Sequence, residues 1–361
     1  MKRTKRQSYY SSSGLKYRMT SGFTLVELLI SLTLGLVLVS GVLSVFVGMR
    51  STAMQTSTIG ELQENGRFAL SVLSNDLSMQ NFWGDFAGNL QASNLTSVPP
   101  AILNNCNEAV HNNTAFPSNN SHFKSLWGQS VSSNNPVGCF TDGRVNNGTS
   151  PHSELIQIKR VIGQPQHSTN PKFFYLTTNS QHGQIHAGGE APNVILNSRT
   201  WLYQNHLYYV REESQGDNKV PVLMQGRILS NKMQFSPMID GVESIVFVYG
   251  IDTTGNGSVN QYLPTNKMTE SLWNNAYAVT PKNLTDAHLV STDNQLASAD
   301  EQPVISTIVA VKVYVLVRSL LPDKQYTNTN TYQLGDSTFV ANDHYHRLLF
   351  STVVNLYNAR R

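Results

Sequence analysis

The sequence predicts an α+β protein in which a long N-terminal helix precedes a head built mostly of antiparallel β-sheet. Residues 23–49 are apolar and contain a single charged side chain, Glu27, as expected for a helix that crosses a membrane. Apolar residues then recur every three or four positions from Ile59 to Leu77, which indicates one face of an amphipathic helix. Alternating and β-branched runs follow from residue 154 onward, and such runs are typical of strands.

A basic leader precedes the apolar run. It has no acidic residue, whereas the first charge after the run is Arg50 alone. Since basic residues stay on the cytoplasmic side, we expect a cytoplasmic N-terminus and a head outside the cytoplasm. A helix over residues 23–47 would measure about 37 Å, which is enough to cross a hydrocarbon core of about 30 Å. The basic residues of the leader are Lys2, Arg3, Lys5, Arg6, Lys16 and Arg18.

Glu27 needs a partner, because a carboxylate at the centre of a bilayer costs about 2.5–3.5 kcal/mol. Cleavage after Gly22 would free the α-amine of Phe23, one helical turn away, as that partner. An ordinary signal anchor is the first alternative. A secretory signal peptide is the second, but its apolar region spans only about 7–15 residues and its small residues follow that region.

Four segments carry a resemblance to known families: Gly22-Phe23-Thr24-Leu25-Val26-Glu27, Glu64-Asn65-Gly66-Arg67-Phe68-Ala69-Leu70, Asn81-Phe82-Trp83-Gly84, and the run from Arg347 to Leu356. The first resembles the class III signal of type IV prepilins, and the other three resemble PilW-type minor pilins. Asp85 stands where many members of that family have a cysteine, so the family's disulfide pattern is not carried over.

The resemblance implies a pilin-like fold and specific roles for three residues. A prepilin peptidase would cut between Gly22 and Phe23 and methylate the new N-terminus at Phe23. Glu27 would meet the N-terminal amine of a neighbouring subunit during assembly. The expected organisation is a cleaved leader at 1–22, a membrane and filament-core helix at 23–49, its amphipathic continuation at 50–82, and a periplasmic or extracellular β-rich head at 83–361.

The apparent basicity of the chain belongs to the leader. The full chain has 26 basic and 23 acidic side chains, and removal of residues 1–22 leaves 20 and 23, a formal net charge of −3. The composition therefore gives no support for nucleic-acid binding, which calls for a basic patch on the folded domain.

Residues 89–150 are rich in Asn, Ser and Gly and predict an extended, loop-rich region. Both cysteines, Cys106 and Cys139, lie there. An oxidising compartment outside the cytoplasm favours a disulfide between them, with two free thiols as the alternative. Two cysteines without histidine at ligand spacing make a poor zinc site.

Strand patterns fill most of the remaining head. Residues 201–203 and 207–210 predict a hairpin turning at 204–206, and residues 305–317 predict a central strand. The polar stretch 260–303 predicts a long loop or insertion. Other predicted strands are 155–161, 173–176, 220–229, 244–249 and 345–357.

Two segments offer weak metal sites. Asp252 and Asn256 occupy the first and fifth positions of a calcium-loop pattern, but Leu263 stands where an EF-hand needs glutamate. A turn in which Asp252 bonds its own backbone is the favoured interpretation. His344 and His346 would share one side of a strand, where surface histidines are commoner than a metal site.

No hydrolase, metalloprotease or nucleotide-binding motif occurs, so we expect neither an enzyme nor a cofactor. The resemblance implies a minor pilin that primes type IV pilus assembly at or near the filament tip, in support of twitching motility, adhesion or DNA uptake. Implied partners are the prepilin peptidase, other minor and major pilins, the assembly platform and the inner membrane. A minor pseudopilin of a type II secretion system and a membrane-anchored adhesin are the alternatives.

Overall fold

The computed structural model divides the chain into two units, Met1–Ser57 and Thr58–Arg361. The first unit contains the beginning of a long helix, and the second contains the rest of that helix and the head. The described residues are 22–107, 113–118, 123–132, 135–140, 151–216, 218–274, 278–279, 304–305 and 307–360.

Helix α1 extends from Leu25 to Ser78. The Thr24 side chain accepts a hydrogen bond from the Glu27 N–H at 3.3 Å, as an N-cap does. Residues 51–58, which are rich in Ser and Thr, are helical. The chain leaves the helix through Asn81, whose φ of 58° is left-handed and common after a helix C-terminus.

In its described residues, the head contains two main antiparallel sheets and two smaller two-stranded pairings. Its strands are β1 (Leu126–Ser130), β2 (Glu154–Pro165), β3 (Phe174–Thr178), β4 (Gly183–Ala187), β5 (Arg199–Gln215), β6 (Asn218–Leu229), β7 (Lys232–Asp240), β8 (Val242–Asp252), β9 (Gln261–Pro264), β10 (Ala278–Val279), β11 (Val304–Ile305), β12 (Thr307–Arg318), β13 (Thr331–Leu334), β14 (Ser337–Val340) and β15 (Arg347–Asn355), with the short helix α2 (Glu270–Trp273) after β9.

Strand β5 organises the seven-stranded sheet. It pairs with β2 on one edge, and on the other edge it pairs first with β3 and then with β6. Strands β1, β4 and β7 complete the sheet beside β2, β3 and β6. The four-stranded sheet has the order β15-β12-β8-β9, so β12 is a central strand as predicted. The α+β architecture expected from the sequence is thus confirmed.

The predicted hairpin at 201–210 is wrong. Residues 204–206 do not turn, because they lie in the middle of the continuous strand β5. Their polar side chains find partners inside the protein: Asn205 accepts from Gln157 at 3.0 Å, and His206 bonds Asp76 at 2.7 Å. Each of the other predicted runs overlaps a strand.

Two predicted loop regions contain regular structure. Strand β1 lies within residues 89–150, and β9, α2 and β10 lie within residues 260–303. The loop expectation for residues 280–303 falls outside the described residues.

The second half of α1 packs on the head along a stripe of small and apolar residues. Ile59 was expected in this stripe but is 43% exposed. One hydrophobic cluster joins the stripe to residues of both main sheets. The buried helix residues are Leu62, Gly66, Ala69, Leu73, Asp76 and Leu77.

Gly66 brings α1 close to β15. A Cβ built at this position would lie 2.2 Å from the ring of Phe350, whereas one at Gly60 would meet nothing within 4 Å. We therefore expect Gly66→Ala to lower the free energy of unfolding by about 1–3 kcal/mol through overpacking.

Urea unfolding of Gly66→Ala measures this effect, and Gly60→Ala is the matched control. In the control, the free energy of unfolding should rise by up to about 1 kcal/mol, because alanine is a better helix former than glycine. Phe350→Leu in the Gly66→Ala background should restore part of the loss. An unchanged stability in Gly66→Ala would contradict the close packing.

Candidate functional site

The first part of α1 is an apolar surface with nothing packed on it in the described structure. Phe23, Leu25 and Val26 are 75%, 76% and 63% exposed. The large apolar side chains that follow are also exposed, as far as Met49 at 69%. The helix is long and apolar enough to cross a membrane. A helix that is apolar all round requires lipid or other helices around it.

Glu27 lies in the first turn of this helix. Its side chain is exposed, as is that of Phe23 just before the Thr24 cap. A carboxylate in the first turn faces the positive end of the helix dipole. Both predicted assembly residues are therefore displayed at one end of α1, where a second chain could reach them.

The hydroxyl groups of this segment bond to the helix itself. Ser31 donates to the Glu27 carbonyl at 2.7 Å, Thr33 to that of Ile30 at 2.9 Å, and Ser40 to that of Val37 at 2.8 Å. Because these donors are satisfied locally, they add little to the cost of placing the helix in an apolar surrounding.

A buried carboxylate, Asp76, ties the end of α1 to the seven-stranded sheet. It accepts hydrogen bonds from Arg160 Nε at 2.5 Å, His206 Nδ1 at 2.7 Å and the Tyr208 hydroxyl at 2.9 Å. Gln225 Nε2 in turn donates to the Tyr208 hydroxyl at 2.8 Å. The helix end is thus held by β2, β5 and β6.

The surroundings of Asp76 favour its charged form. Burial would raise the pKa of this carboxyl, but the charges and hydrogen bonds of His206 and Arg160 outweigh burial and lower the pKa to about 2. Burial and the neighbouring carboxylate raise the pKa of Tyr208 above its usual range. Asp76 therefore remains ionised at neutral pH.

The cluster around Asp76 was not predicted from the sequence, although the position of Asp76 on α1 indicates it. Asp76 follows Leu62, Gly66, Ala69 and Leu73 at alternating steps of four and three, so it occupies a position of the buried stripe. An acid at such a position must find a buried partner.

Asp85, at the position where the resemblance leads one to expect cysteine, pairs with Arg199. Arg199 Nε donates to the carboxylate at 2.8 Å, and a second guanidinium nitrogen contacts the other oxygen. This ion pair joins the segment after α1 to β5. The Arg199 side chain is 57% exposed, so solvent screens the pair and it adds little to stability.

The structure contains the expected disulfide between Cys106 and Cys139, which are 33 residues apart. Both cysteines are buried, and the neighbouring Phe140 packs on Tyr209 of β5 with ring centroids 4.3 Å apart. The bond therefore secures the loop-rich region where it lies against the seven-stranded sheet.

Removal of this bond should lower the free energy of unfolding by about 3–4 kcal/mol in the chain-entropy treatment. The measurement is urea unfolding of the oxidised protein and of a Cys106→Ser/Cys139→Ser double variant, with dithiothreitol added to each. Reductant should destabilise the parent protein alone. Equal midpoints for oxidised parent and variant would show that the bond contributes nothing.

The loop after β8 uses Asp252 to hold its own backbone. The carboxylate accepts from the N–H groups of Thr254 at 2.9 Å, Gly255 at 2.8 Å and Gly257 at 2.5 Å. Although burial opposes it, these bonds lower the pKa of Asp252. The Asn256 side chain accepts from the Ser258 N–H at 2.8 Å. The side-chain oxygens of Asp252 and Asn256 therefore accept hydrogen bonds from the backbone of the turn itself.

His344 and His346 each have other partners. His346 stacks on Tyr326 with centroids 3.9 Å apart and lies 3.2 Å from the Asp323 carboxylate, while His344 Nδ1 is 2.6 Å from the Tyr326 carbonyl. Within the described part of the chain, no group of three His, Cys, Asp or Glu side chains could hold a metal ion.

Comparison with protein families matches two regions of the chain. Residues 17–43 match the prokaryotic N-terminal methylation motif, and residues 207–358 match the type IV pilus-assembly protein W, PilW. The two matches support a type IV pilus minor pilin that resembles PilW. Comparison with curated proteins and with solved structures returned no match.

The two matches agree with the geometry described above. The first covers the Gly22–Phe23 junction and the apolar beginning of α1, and the second covers the head from within β5 to beyond the end of β15. Together with the long apolar helix, they support a structural protein of the pilin type that is anchored by its N-terminal helix and associates with other pilins and pilus assembly components.

Proposed function

We propose that this pilin helps to prime type IV pilus assembly and is incorporated at or near the filament tip. The observation that carries the proposal is the exposed apolar segment of α1, with Glu27 as its single charge, in a chain whose head matches PilW. Twitching motility, adhesion and DNA uptake would depend on the assembled pilus.

Processing comes first in the proposed sequence of events. A prepilin peptidase cuts the bond between Gly22 and Phe23 and methylates the Phe23 amine. The subunit then waits in the inner membrane, crossing it once, with its head in the periplasm. The exposed position of Phe23 at the start of α1 suits access by an enzyme.

Assembly then exchanges lipid for protein around the helix. The apolar side chains of α1 pack against the helices of other minor and major pilins on the assembly platform. Glu27 pairs with the Phe23 amine of a neighbour and sets the axial register, because an unpaired charge in an apolar surrounding is costly.

Size favours an initiating role over that of a repeating shaft subunit. Cleavage would leave 339 residues, and most of them belong to the head. A head this large would have to be packed again for each subunit of a shaft, whereas a priming complex needs it once.

A clean deletion tests the proposal by counting surface pili after shearing and by electron microscopy, with and without the retraction motor. Loss of pili that is partly restored when retraction is blocked supports priming, because assembly is then slowed rather than abolished. Normal pili in both backgrounds contradict it. In that event, lost exoprotein secretion identifies a minor pseudopilin, and retention of residues 1–22 on the mature protein identifies a membrane-anchored adhesin.

A further inference from the structure

Two adjacent cations of β2, Lys159 and Arg160, are buried on opposite faces of the seven-stranded sheet. Arg160 faces α1 and pairs with Asp76. Lys159 faces the loop-rich region, and its Nζ contacts the side-chain oxygen of Asn113 and the carbonyl oxygen of Thr114. Both contacted oxygens belong to neutral groups.

The surroundings of Lys159 favour an uncharged amine. The side chain is 0% exposed, and burial together with the charge of nearby Lys124 lowers the pKa of the amine well below its usual range. The Phe123 ring lies 4.4 Å from Nζ and covers it. An unprotonated amine is a nucleophile, whereas an ammonium is not.

The carboxamide of Asn113 is fixed beside this amine. Its Nδ2 donates to the Lys124 carbonyl at 2.8 Å, and its Oδ1 accepts from the Lys124 N–H at 2.5 Å. Asn113 is 0% exposed. Because Nζ contacts Oδ1, the carbonyl carbon Cγ lies only one C=O bond, about 1.23 Å, behind the contacted atom.

We propose that Lys159 and Asn113 are a modification site at which an intramolecular isopeptide bond forms. Nζ attacks Cγ, and the charge that develops on Oδ1 is stabilised by the Lys124 N–H. One proton moves from Nζ to Nδ2, the Cγ–Nδ2 bond breaks, and ammonia leaves. One N–H remains on the new amide, and no oxidant, reductant or co-reactant is consumed.

The geometry supplies what such a step needs. Holding two reacting groups in contact can accelerate their reaction as much as an effective concentration of about 10⁵–10⁸ M of one of them would. The Lys124 N–H, aimed at the developing oxyanion, adds electrostatic stabilisation at a buried site. The product would join segments 46 residues apart and fasten the loop-rich region to β2 independently of the disulfide.

The test is the intact mass of the protein purified from membranes of the native host. The expected mass is one ammonia below that calculated for the disulfide-bonded chain with the N-terminus, cleaved and methylated or not, that its N-terminal peptide shows. After reduction and trypsin digestion, residues 68–124 should be recovered joined to residues 145–160, because trypsin does not cut at a modified Lys159. An undiminished mass with the two peptides separate overturns the proposal.

Variants and mapping exclude other sources of the same mass change. Lys159→Met should abolish the loss of ammonia, and Lys172→Met, which alters an exposed lysine outside this site, should leave the loss of mass unchanged. An ammonia loss that maps to the Asn256–Gly257 pair as a cyclic imide overturns the proposal. If Lys159→Met does not fold, the peptide map of the protein without substitutions still shows whether the two peptides are joined.

Discussion

Glu27→Ala should leave cleavage after Gly22 intact but reduce the pilin recovered in sheared pili at least about tenfold, a change equivalent to about 1.4 kcal/mol in assembly. Glu27 is the single charge between residues 23 and 49, so in an assembled bundle the Phe23 amine would lose its partner. An unpaired charge in an apolar surrounding costs several kcal/mol, which is more than the free energy that corresponds to a tenfold loss.

Immunoblots of sheared pili and of membranes measure incorporation, and mass spectrometry of the membrane fraction measures processing. Ser31→Ala is the matched control, since Ser31 lies one turn later and bonds only within the helix. The control should assemble normally. Normal recovery of Glu27→Ala in pili would show that this carboxylate has no role in assembly.

Asp76→Asn should lower the free energy of unfolding of the head by about 3–5 kcal/mol, the usual cost of breaking a buried ion pair by removing one partner. Arg160, itself buried, would be left without its carboxylate, and His206 and Tyr208 would lose a charged acceptor. Urea unfolding followed by tryptophan fluorescence reports the change, because Trp83, Trp127 and Trp201 are buried.

Asp85→Asn is the control for this experiment, because Arg199 is 57% exposed and solvent screens its pair with Asp85, so the unfolding midpoint should change little. The pH dependence is a second readout. The pKa of Asp76 is lowered from 3.8 to about 2 on folding, so its stabilisation is complete above pH 4 and is lost as the pH falls toward 2. Asp76→Asn should lack this slope, and equal slopes would exclude Asp76 as its source.

The sequence predicts those elements whose pattern is set by local chemistry. The uncharged run after Phe23, the stripe from Leu62 to Leu77 and the β-branched run that becomes β12 each have a periodicity that few other structures would satisfy. The turn at Asp252 was predictable for the same reason, since its hydrogen bonds are all to residues within five positions.

The predictions from sequence fail where contacts with residues distant in the sequence determine the local structure. Gln204-Asn205-His206 has the composition of a turn, yet Gln157 on β2 and Asp76 on α1 satisfy Asn205 and His206 within a strand. Strand β7 was missed because Pro237 and several polar residues interrupt its pattern, which an edge strand tolerates. Such partners cannot be read from neighbours in the sequence.

The stripe of α1 is closed by the other end of the chain. Gly66 fits under Phe350 of β15, and beyond the helix the Asn81 side chain donates to the Asn358 carbonyl at 3.0 Å across 277 positions. Asn358 in return donates to the Gln80 carbonyl at 3.2 Å.

In the proposed topology, this closure has a consequence for export. A chain held in the membrane by its first helix would present the buried stripe of α1 to the periplasm without its cover from β15 until that last strand has emerged. The subunit would then become competent to join its neighbours only after export of the whole chain is complete.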